Sequence, residues 1–158
     1  MAIKYTIEQH AVGTVVKALA QNGGKHIYNI TLTEDVDNGY FVGKGAFVEL
    51  DRYTEAAPGD VAGTVVAKAA NGNYYVEITS ADEGTLFVAT TPINAEEFTE
   101  AFKKESAFYN ASGDVARAYQ LAPGDVVEIS GDGFAAVPSV GASVTLQAVT
   151  GKTAKQLG

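Results

Sequence analysis

The residues of this chain best suited to proton transfer are its two histidines, His10 and His26. A Ser–His–Asp triad would need one of them, because the histidine carries the proton between the nucleophile and the leaving group. The sequence contains no Gly-x-Ser-x-Gly elbow, the turn that presents such a serine in α/β-hydrolases. His26 precedes a predicted strand next to a turn, which is typical of a histidine at the rim of a sheet. We therefore predict no catalytic residues and a protein that is not an enzyme.

Carboxylates are the other groups that could carry chemistry, since the chain has nineteen acidic residues. None of the possible pairs stands in a recognisable glycosidase frame, so that activity has no support from the residues. The segment Glu34–Gly39 (EDVDNG) is calcium-like. Counted from Asp35, however, the glycine and the final glutamate of an EF-hand loop would have to stand where Tyr40 and Ala46 stand. An acidic hairpin loop explains the segment better than a metal site.

The sequence also lacks a complete phosphate-binding motif and any thiol group. Gly151-Lys152-Thr153 matches the end of a P-loop, but the first glycine of that motif would fall at Leu146. The chain has no cysteine, which excludes disulfides, thiolate-bound zinc, iron–sulfur clusters and cysteine nucleophiles. We therefore expect no metal and no other cofactor.

The charge of the chain argues against nucleic acid and membranes as partners. Eleven lysines and arginines against nineteen acids give a formal net charge of −8 at pH 7. A DNA-binding protein gathers cations to neutralise phosphates, and an anionic membrane would also repel this chain. The longest charge-free run, Gly133–Gly151, is interrupted by Pro138 and Gly141 and alternates like a strand, so we expect no membrane span.

Most of the chain alternates apolar and polar residues with the period of two that is typical of β-strands. Two hairpins are predicted: Gly13–Ala20 with His26–Thr33, and Gly63–Ala70 with Asn73–Ser80. The second hairpin turns at Asn71-Gly72, a pair that favours a type I′ turn. Short strands between glycine-rich turns predict a mainly β fold, a short-stranded antiparallel barrel or sandwich.

One inserted helix interrupts the predicted strands, at about Asn94–Glu105. Its first residue can cap it, and Glu97 completes a pair of the capping-box kind. The helix divides the chain into an N-terminal β block, residues 1–91, and a C-terminal block of helix and strands, residues 92–158. The alternative is a single domain over residues 1–150 with a frayed tail.

The pentapeptide APGDV occurs twice, at Ala57–Val61 and at Ala122–Val126. The other echo in the chain, Gly-Thr-Val-Val, recurs at a different spacing, so a tandem duplication is not indicated. Proline at the second position of a turn and glycine at the third predict a type II turn that begins a strand in both copies. Asp60 and Asp125 are therefore interpreted as turn residues and not as catalytic acids.

The stretch from Phe108 to Leu146 carries a resemblance to known proteins. The residues that carry it are Phe108-Tyr109-Asn110, Gly113, Arg117-Ala118-Tyr119, Leu121, Gly124-Asp125, Ile129-Ser130 and Val140-Gly141. In these residues the chain is similar to the C-terminal part of small proteins that tailed bacteriophages encode beside the major capsid protein. The first ninety residues add no independent match.

The resemblance implies a virion component, a capsid decoration or cement protein that binds the outer surface of the phage head and stabilises it. The implied partner is the major capsid protein, with self-association into a homo-oligomer on the particle, and the protein would be made in the host cytoplasm. Such a protein acts by binding and needs no catalytic residue or cofactor. The alternatives are a carbohydrate-binding or adhesive β module of a head fibre or tail-associated structure, and a tail-tube or neck component.

Five residues are our candidates for contacts with a partner: Tyr5, Tyr109, Arg117, Lys152 and Lys155. They come from the N-terminal segment, from the stretch that carries the resemblance and from the polar tail. For Arg117 the alternative is an ion pair with a neighbouring acid on the sheet.

Overall fold

The described part of the chain comprises residues 4–5, 8–17, 27–92 and 107–158 of a computed structural model. The predicted helix at about Asn94–Glu105, the turn of the first predicted hairpin and His26 all lie outside these residues. The described residues are mainly β, as the sequence predicts. Their strands are β1 (Lys4–Tyr5), β2 (Gly13–Lys17), β3 (Ile27–Thr31), β4 (Phe41–Phe47), β5 (Arg52–Ala56), β6 (Val61–Lys68), β7 (Tyr74–Ala81), β8 (Thr85–Val88), β9 (Phe108–Tyr109), β10 (Val115–Gln120), β11 (Val126–Ile129), β12 (Ser143–Ala148) and β13 (Lys155–Leu157).

Five of these strands close into a barrel, in the order β4–β5–β3–β10–β8 and back to β4. Every neighbouring pair is antiparallel except β3–β5, which is parallel with Ile30 opposite Tyr53. A parallel neighbour must be reached by a crossover, and here the chain forms β4 before it returns as β5. The predicted antiparallel barrel is thus confirmed, with one parallel pair that the alternation of residues did not reveal.

A second, antiparallel sheet runs in the order β2–β11–β7–β6–β12–β13. It joins the barrel where Lys155 of β13 pairs with Phe41 of β4. In the central pair of this sheet, every second residue is buried, Val61 and Val65 on β6 and Val76 on β7 among them. Because successive side chains of a strand point to opposite faces, this alternation gives the sheet one apolar face.

The barrel and the second sheet share a wall made of β4 and β8. Phe41 and Phe87 point out of the barrel into the core beneath the second sheet, with ring centroids 5.3 Å apart. Val42, Leu86 and Val88 point the other way and fill the barrel interior. β8 and the first three residues of β4 are therefore buried on both faces.

The two predicted hairpins have different outcomes. The first is wrong: β2 pairs with β11, whereas β3 pairs with β5 and β10. The second is confirmed as β6–β7, but its turn is not of type I′. Asn71 keeps an ordinary negative φ, Gly72 has a φ of 91°, and the Gly72 amide donates to the Ala69 carbonyl at 3.0 Å. This geometry is a type I turn completed by a glycine in the left-handed region.

The two copies of APGDV also differ from each other. In the second copy Gly124 has a φ of 95°, and Asp125 accepts the Ala122 amide at 2.9 Å, as the predicted turn requires. In the first copy Gly59 has no positive φ, so the predicted type II turn is wrong there. Its amides are held by other loops instead, that of Gly59 by the Thr85 hydroxyl and that of Asp60 by the Asp82 carboxylate.

Strands from the C-terminal part of the chain pair with strands from the N-terminal part at several places. β10 lies between β3 and β8, β11 between β2 and β7, and β12 beside β6. The tail, which its composition predicts to be frayed, instead forms β13, which pairs with β12 and buries Leu157 and Ala154 completely.

Candidate partner-binding surfaces

Two of the five predicted contact residues, Tyr109 and Lys152, come together around Asp35, beyond the end of β3. Tyr5 of β1 pairs with Phe108 of β9, and Tyr109 follows on the same strand. Lys152 donates from Nζ to the backbone carbonyl of Asp35. The fold therefore joins the stretch that carries the resemblance and the tail into one surface, which we call the Asp35 surface and define by Asp35, Tyr109 and Lys152. The position of the Tyr5 side chain lies outside the described part of the structure.

The electrostatic surroundings of Tyr109 are acidic. Desolvation first, and then the negative charges of Asp35, Asp114 and Glu8, raise the pKa of the Tyr109 phenol above its ordinary value. The Asp35 carboxylate also accepts the Ser112 amide at 2.8 Å. The phenol therefore stays neutral over the physiological pH range and can donate a hydrogen bond to a partner.

His10 packs against the Asp35 surface through Tyr109. Its ring stacks on Tyr109 with centroids 4.7 Å apart and an interplanar angle of 17°. Its Nδ1 lies 2.8 Å from Asp37 Oδ1, and the other oxygen of that carboxylate accepts the Ala11 amide at 3.0 Å. A His–Asp pair also orients the base of a Ser–His–Asp triad. Here the same geometry fastens the segment before β2 to the loop between β3 and β4.

Arg117 lies apart from the Asp35 surface, exposed on β10 of the barrel. Its Nε donates to Asn29 Oδ1 at 3.2 Å, and its backbone amide donates to the Thr90 hydroxyl at 3.0 Å. The alternative prediction for this residue is an ion pair with a neighbouring acid. Within the described residues the hydrogen-bond partner of this guanidinium is an amide, and no acid lies within ion-pair distance.

Two cavities flank Arg117 and the end of β8. One has a volume of about 280 Å³ and the other of about 270 Å³, and both are lined by Thr90, Thr91 and Tyr119. Their other described lining residues are Val12, Gly13, Thr14, Val15, Asn29, Asn38, Ala89, Pro92, Val115 and Arg117. None of these described lining residues is a carboxylate or a histidine. The described walls combine hydroxyl, amide and guanidinium groups with apolar side chains.

Lys155 has a structural position at the seam of the molecule. It is half-buried on β13, opposite Ala148 of β12 on one side and Phe41 of β4 on the other. Lys152, by contrast, is exposed three residues earlier. Of the two lysines in the tail, Lys152 is the one that the fold presents to solvent.

Some residues that carry the resemblance build the framework of the fold. Asn110 is buried and donates from Nδ2 to the Val36 carbonyl and to Asn38 Oδ1, both at 3.0 Å. Asn38 in turn exchanges two hydrogen bonds with the backbone of Thr90. This network ties the loop after β3 to the segments before β10 and after β8, so the Phe-Tyr-Asn motif serves the fold at its asparagine and a surface at its tyrosine.

Exposed apolar residues are the feature that the sequence analysis missed. One group lies on the hairpin that joins β4 to β5: Phe47 is 60% exposed, Val48 49% and Leu50 83%. A second group lies near the end of β6 and the loop before β12, and comprises Val66, Val137 and Val140. The run Ala46–Leu50 resembles a strand in sequence, although its adjacent Phe47 and Val48 already break the alternation of a half-buried one.

The described residues offer neither a metal site nor a membrane-spanning helix. No group of three or more potential ligands comes close enough to hold a metal ion within the described ranges. Among these residues, no helix has the length and apolar character needed to cross a membrane. Comparison with protein-family models, with curated proteins and with solved structures finds no match to this chain. The function therefore has to be argued from the residues and surfaces themselves.

Proposed function

We propose that this protein is a bacteriophage capsid decoration protein, which binds the outer surface of the head, contacts the major capsid protein and stabilises the shell. The observation that carries the proposal is the resemblance of Phe108–Leu146 to small proteins encoded beside the major capsid protein. In this chain Asn110 and Asp125 of that stretch are buried and Gly124 occupies a tight turn. The resemblance thus covers a framework from which contact surfaces project.

Exposed apolar side chains support a role in binding another protein. Contiguous apolar patches on a soluble domain are typical of interaction sites. A decoration protein can use small patches because many copies bind one shell, and contacts with neighbouring copies add to each local contact. The candidate of this kind is the hairpin between β4 and β5, where Phe47, Val48 and Leu50 are exposed together.

The charge supports a position on the outside of the shell. A net charge of −8 repels DNA and keeps a densely packed protein layer soluble. On the Asp35 surface, acidic residues surround one neutral phenol and one lysine. A partner with basic residues would complement this surface, and self-association on the particle would place such surfaces side by side.

Sedimentation with empty shells tests the proposal. The purified protein is mixed with expanded, undecorated phage heads over a range of salt concentrations, and the heads are pelleted. We expect the protein to pellet at a fixed ratio to the major capsid protein and to raise the temperature at which the heads come apart. Unexpanded heads serve as the control. Protein that stays in the supernatant at every salt concentration would falsify the proposal.

The second candidate is a carbohydrate-binding or adhesive β module. The observation in its favour is the exposed ring of Phe47, which lies edge-on to Tyr53 at 5.4 Å. Aromatic faces of this kind can stack on sugar rings. Binding to a glycan array, together with no affinity for expanded heads, would favour this candidate. A tail-tube or neck component would instead assemble into regular rings or tubes visible by electron microscopy.

A further inference from the structure

The hairpin between β4 and β5 ends in an unusual turn. Glu49 to Arg52 form a type I′ turn, in which Leu50 has a φ of 52° and Asp51 a φ of 56°. The Arg52 amide donates to the Glu49 carbonyl at 3.1 Å, and the Val48 amide donates to the Arg52 carbonyl at 2.8 Å. In the described residues, these are the only two residues other than glycine with a positive φ.

The residue types at the centre of this turn are poorly suited to its backbone conformation. A type I′ turn favours Asn-Gly because both central residues have positive φ, and a leucine there is strained. Leu50 is also 83% exposed, so it contributes little to the core. Strained residues that gain nothing from packing are concentrated at sites of function. The side chain of Leu50 is therefore better explained by something it contacts outside this chain.

Aromatic and cation contacts support the base of the hairpin. The Phe47 ring meets the Tyr53 ring edge-on at 5.4 Å. Lys44 Nζ lies 4.8 Å from the centroid of the Tyr28 ring and 5.2 Å from that of Tyr53. The register between β4 and β5 shifts between Lys44 and Phe47, which is a bulge of the kind that redirects a hairpin. Because these contacts already order the base of the hairpin, less conformational entropy is lost when the tip binds a partner.

Charges on the tip define the partner further. Glu49 is largely exposed and lies 3.6 Å from Arg52, which only partly offsets its charge. Asp51 is exposed beside Leu50. The tip therefore offers apolar side chains flanked by two carboxylates. Its complement is an apolar groove with basic residues along the rim.

We infer that the hairpin tip, defined by Phe47, Val48 and Leu50, inserts into an apolar groove with a basic rim on the major capsid protein. This inference rests on the proposed function and names the part of the molecule that anchors it to the shell. The three apolar side chains are exposed at the turn between β4 and β5, so they can enter a groove of a partner without a change in the cores of this protein.

The other exposed apolar patch lacks these features and supplies a matched control. Val137 and Val140 lie in a loop where Gly141, with a φ of 90°, takes the left-handed position that glycine suits. Nothing in that loop combines a strained backbone with an exposed large side chain. We therefore expect the loop to contribute little to anchoring.

Variants of the whole 158-residue chain test the inference. The first, Leu50→Asn with Asp51→Gly, gives the turn its preferred residues and removes the apolar tip. The second, Phe47→Ser, removes the exposed ring. The control is Val137→Ser with Val140→Ser. We expect the first two to bind expanded heads at least about tenfold more weakly, which corresponds to about 1.4 kcal/mol, and the control to bind like the wild type.

A melting curve shows that lost binding is not lost folding. We expect Leu50→Asn with Asp51→Gly to melt at or above the wild-type temperature, because the strain is relieved. Asp51→Gly alone keeps the leucine and should bind heads more tightly than the double variant does. A clearly lower melting temperature of the double variant would mean that Leu50 serves folding, and the inference would be wrong. Binding of the double variant with wild-type affinity, or an equal loss in the control, would also overturn it.

Salt dependence and a glycan array separate the remaining outcomes. A basic rim predicts that affinity for heads falls as ionic strength rises, because salt screens the contact with Glu49 and Asp51. An affinity independent of salt would contradict the basic rim.

If the wild type fails to bind heads, the proposed function fails and the inference with it. If wild type and tip variants bind equally, only the inference fails. Glycan binding that Phe47→Ser abolishes would assign the tip to a sugar instead.

Discussion

At the scale of single residues, the same sequence motif can serve both fold and surface. In the motif Phe108-Tyr109-Asn110, the phenylalanine and asparagine are buried, and Tyr109 lies half-buried on the Asp35 surface. Alternation along a strand explains this division, since neighbouring side chains point to opposite faces. A resemblance carried by such a motif therefore reports on the framework as much as on contacts.

Removal of the Asn110 side-chain amide should destabilise the protein, although the group removed is small. Asn110→Ala deletes two hydrogen bonds and leaves the Val36 carbonyl and Asn38 with fewer partners in a buried place. We expect a loss of about 1–3 kcal/mol in the free energy of unfolding, measured by urea denaturation. Gln147→Ala is the control, because its hydrogen bond to Thr145 is exposed and should be worth at most about 0.5 kcal/mol.

Stability should fall in alkaline solution because of Tyr40 and Tyr109. Burial first, and then the charges of Asp37 and Asp132, raise the pKa of Tyr40, while desolvation and nearby acids raise that of Tyr109. A raised folded-state pKa means that unfolding releases protons once the pH exceeds the unfolded value, about 10 for tyrosine. The stabilisation is thus complete below that pH and is lost as the pH rises through the folded pKa.

Urea denaturation from neutral to alkaline pH measures this dependence. We expect Tyr40→Phe to have a shallower alkaline decline than the wild type, because one of the two phenols no longer titrates. Comparison of the two proteins at pH 7 separates any change in packing from the titration. An equal decline in both proteins would show that Tyr40 does not contribute.

At the scale of elements, the tail is the clearest surprise. Residues Lys155–Leu157 form β13, whose Leu157 lies opposite Leu146 and is completely buried. The polar composition of the tail suggests fraying. In the structure, however, Leu157 packs into one core and Ala154 into the other. The same strand joins the second sheet to the barrel at Phe41.

Two leucine substitutions distinguish a packed tail from a frayed one. Leu157→Ala should cost about 2–5 kcal/mol, because it opens a cavity in a core. Leu50→Ala, at the exposed hairpin tip, should change the free energy of unfolding by at most about 0.5 kcal/mol. Chemical denaturation of both variants gives the comparison, and equal small effects would mean that the tail does not pack.

The junction between β2 and the loop before β4 depends on backbone contact. A Cβ atom at Gly13 would collide with the backbone of Gly39, which leaves no room for any side chain. Gly13→Ala should therefore destabilise the protein by about 1–3 kcal/mol or more. Gly131→Ala is the control, because its nearest neighbour would be the Val137 Cγ2 atom at 3.7 Å. Thermal melting of the two variants should separate them clearly.

At the scale of the whole molecule, the barrel and the second sheet depend on each other. They share β4 and β8, whose Phe41 and Phe87 fill one core while Val42 and Leu86 fill the other. The barrel needs β10 to close, and the second sheet needs β11 and β12 from the same half of the chain. Each half of the chain thus supplies strands that the other half must pair with.

A fragment of residues 1–91 should consequently fail to fold by itself. Without β10, the edges of β3 and β8 lose their partner, and the apolar wall of the barrel is left open. We expect such a fragment to give a poorly dispersed NMR spectrum and no cooperative melting, in contrast to the 158-residue chain. A well-dispersed spectrum would show that the N-terminal β block is an independent domain.

The candidate surfaces were only partly accessible to sequence reasoning. Tyr109 and Lys152 could be selected as polar or aromatic residues of separate segments, yet nothing local indicated that the two meet at Asp35. The hairpin tip at Leu50 was missed because a left-handed turn without glycine or asparagine has no sequence signal. Exposure is a property of what lies around a residue, and the run Ala46–Leu50 alone does not contain that information.

The sequence by itself determined the mainly β class, the positions of β2, β3, β6 and β7 and the absence of cysteine chemistry. These follow from composition and from alternation, which depend on neighbours in the chain. Only the tertiary structure decided that β2 and β3 take different partners, that β3 lies parallel to β5, and that the tail closes the seam between sheet and barrel. Strand pairing is chosen by the burial of whole faces against distant segments, and a period of two is the same whichever partner a strand finally takes.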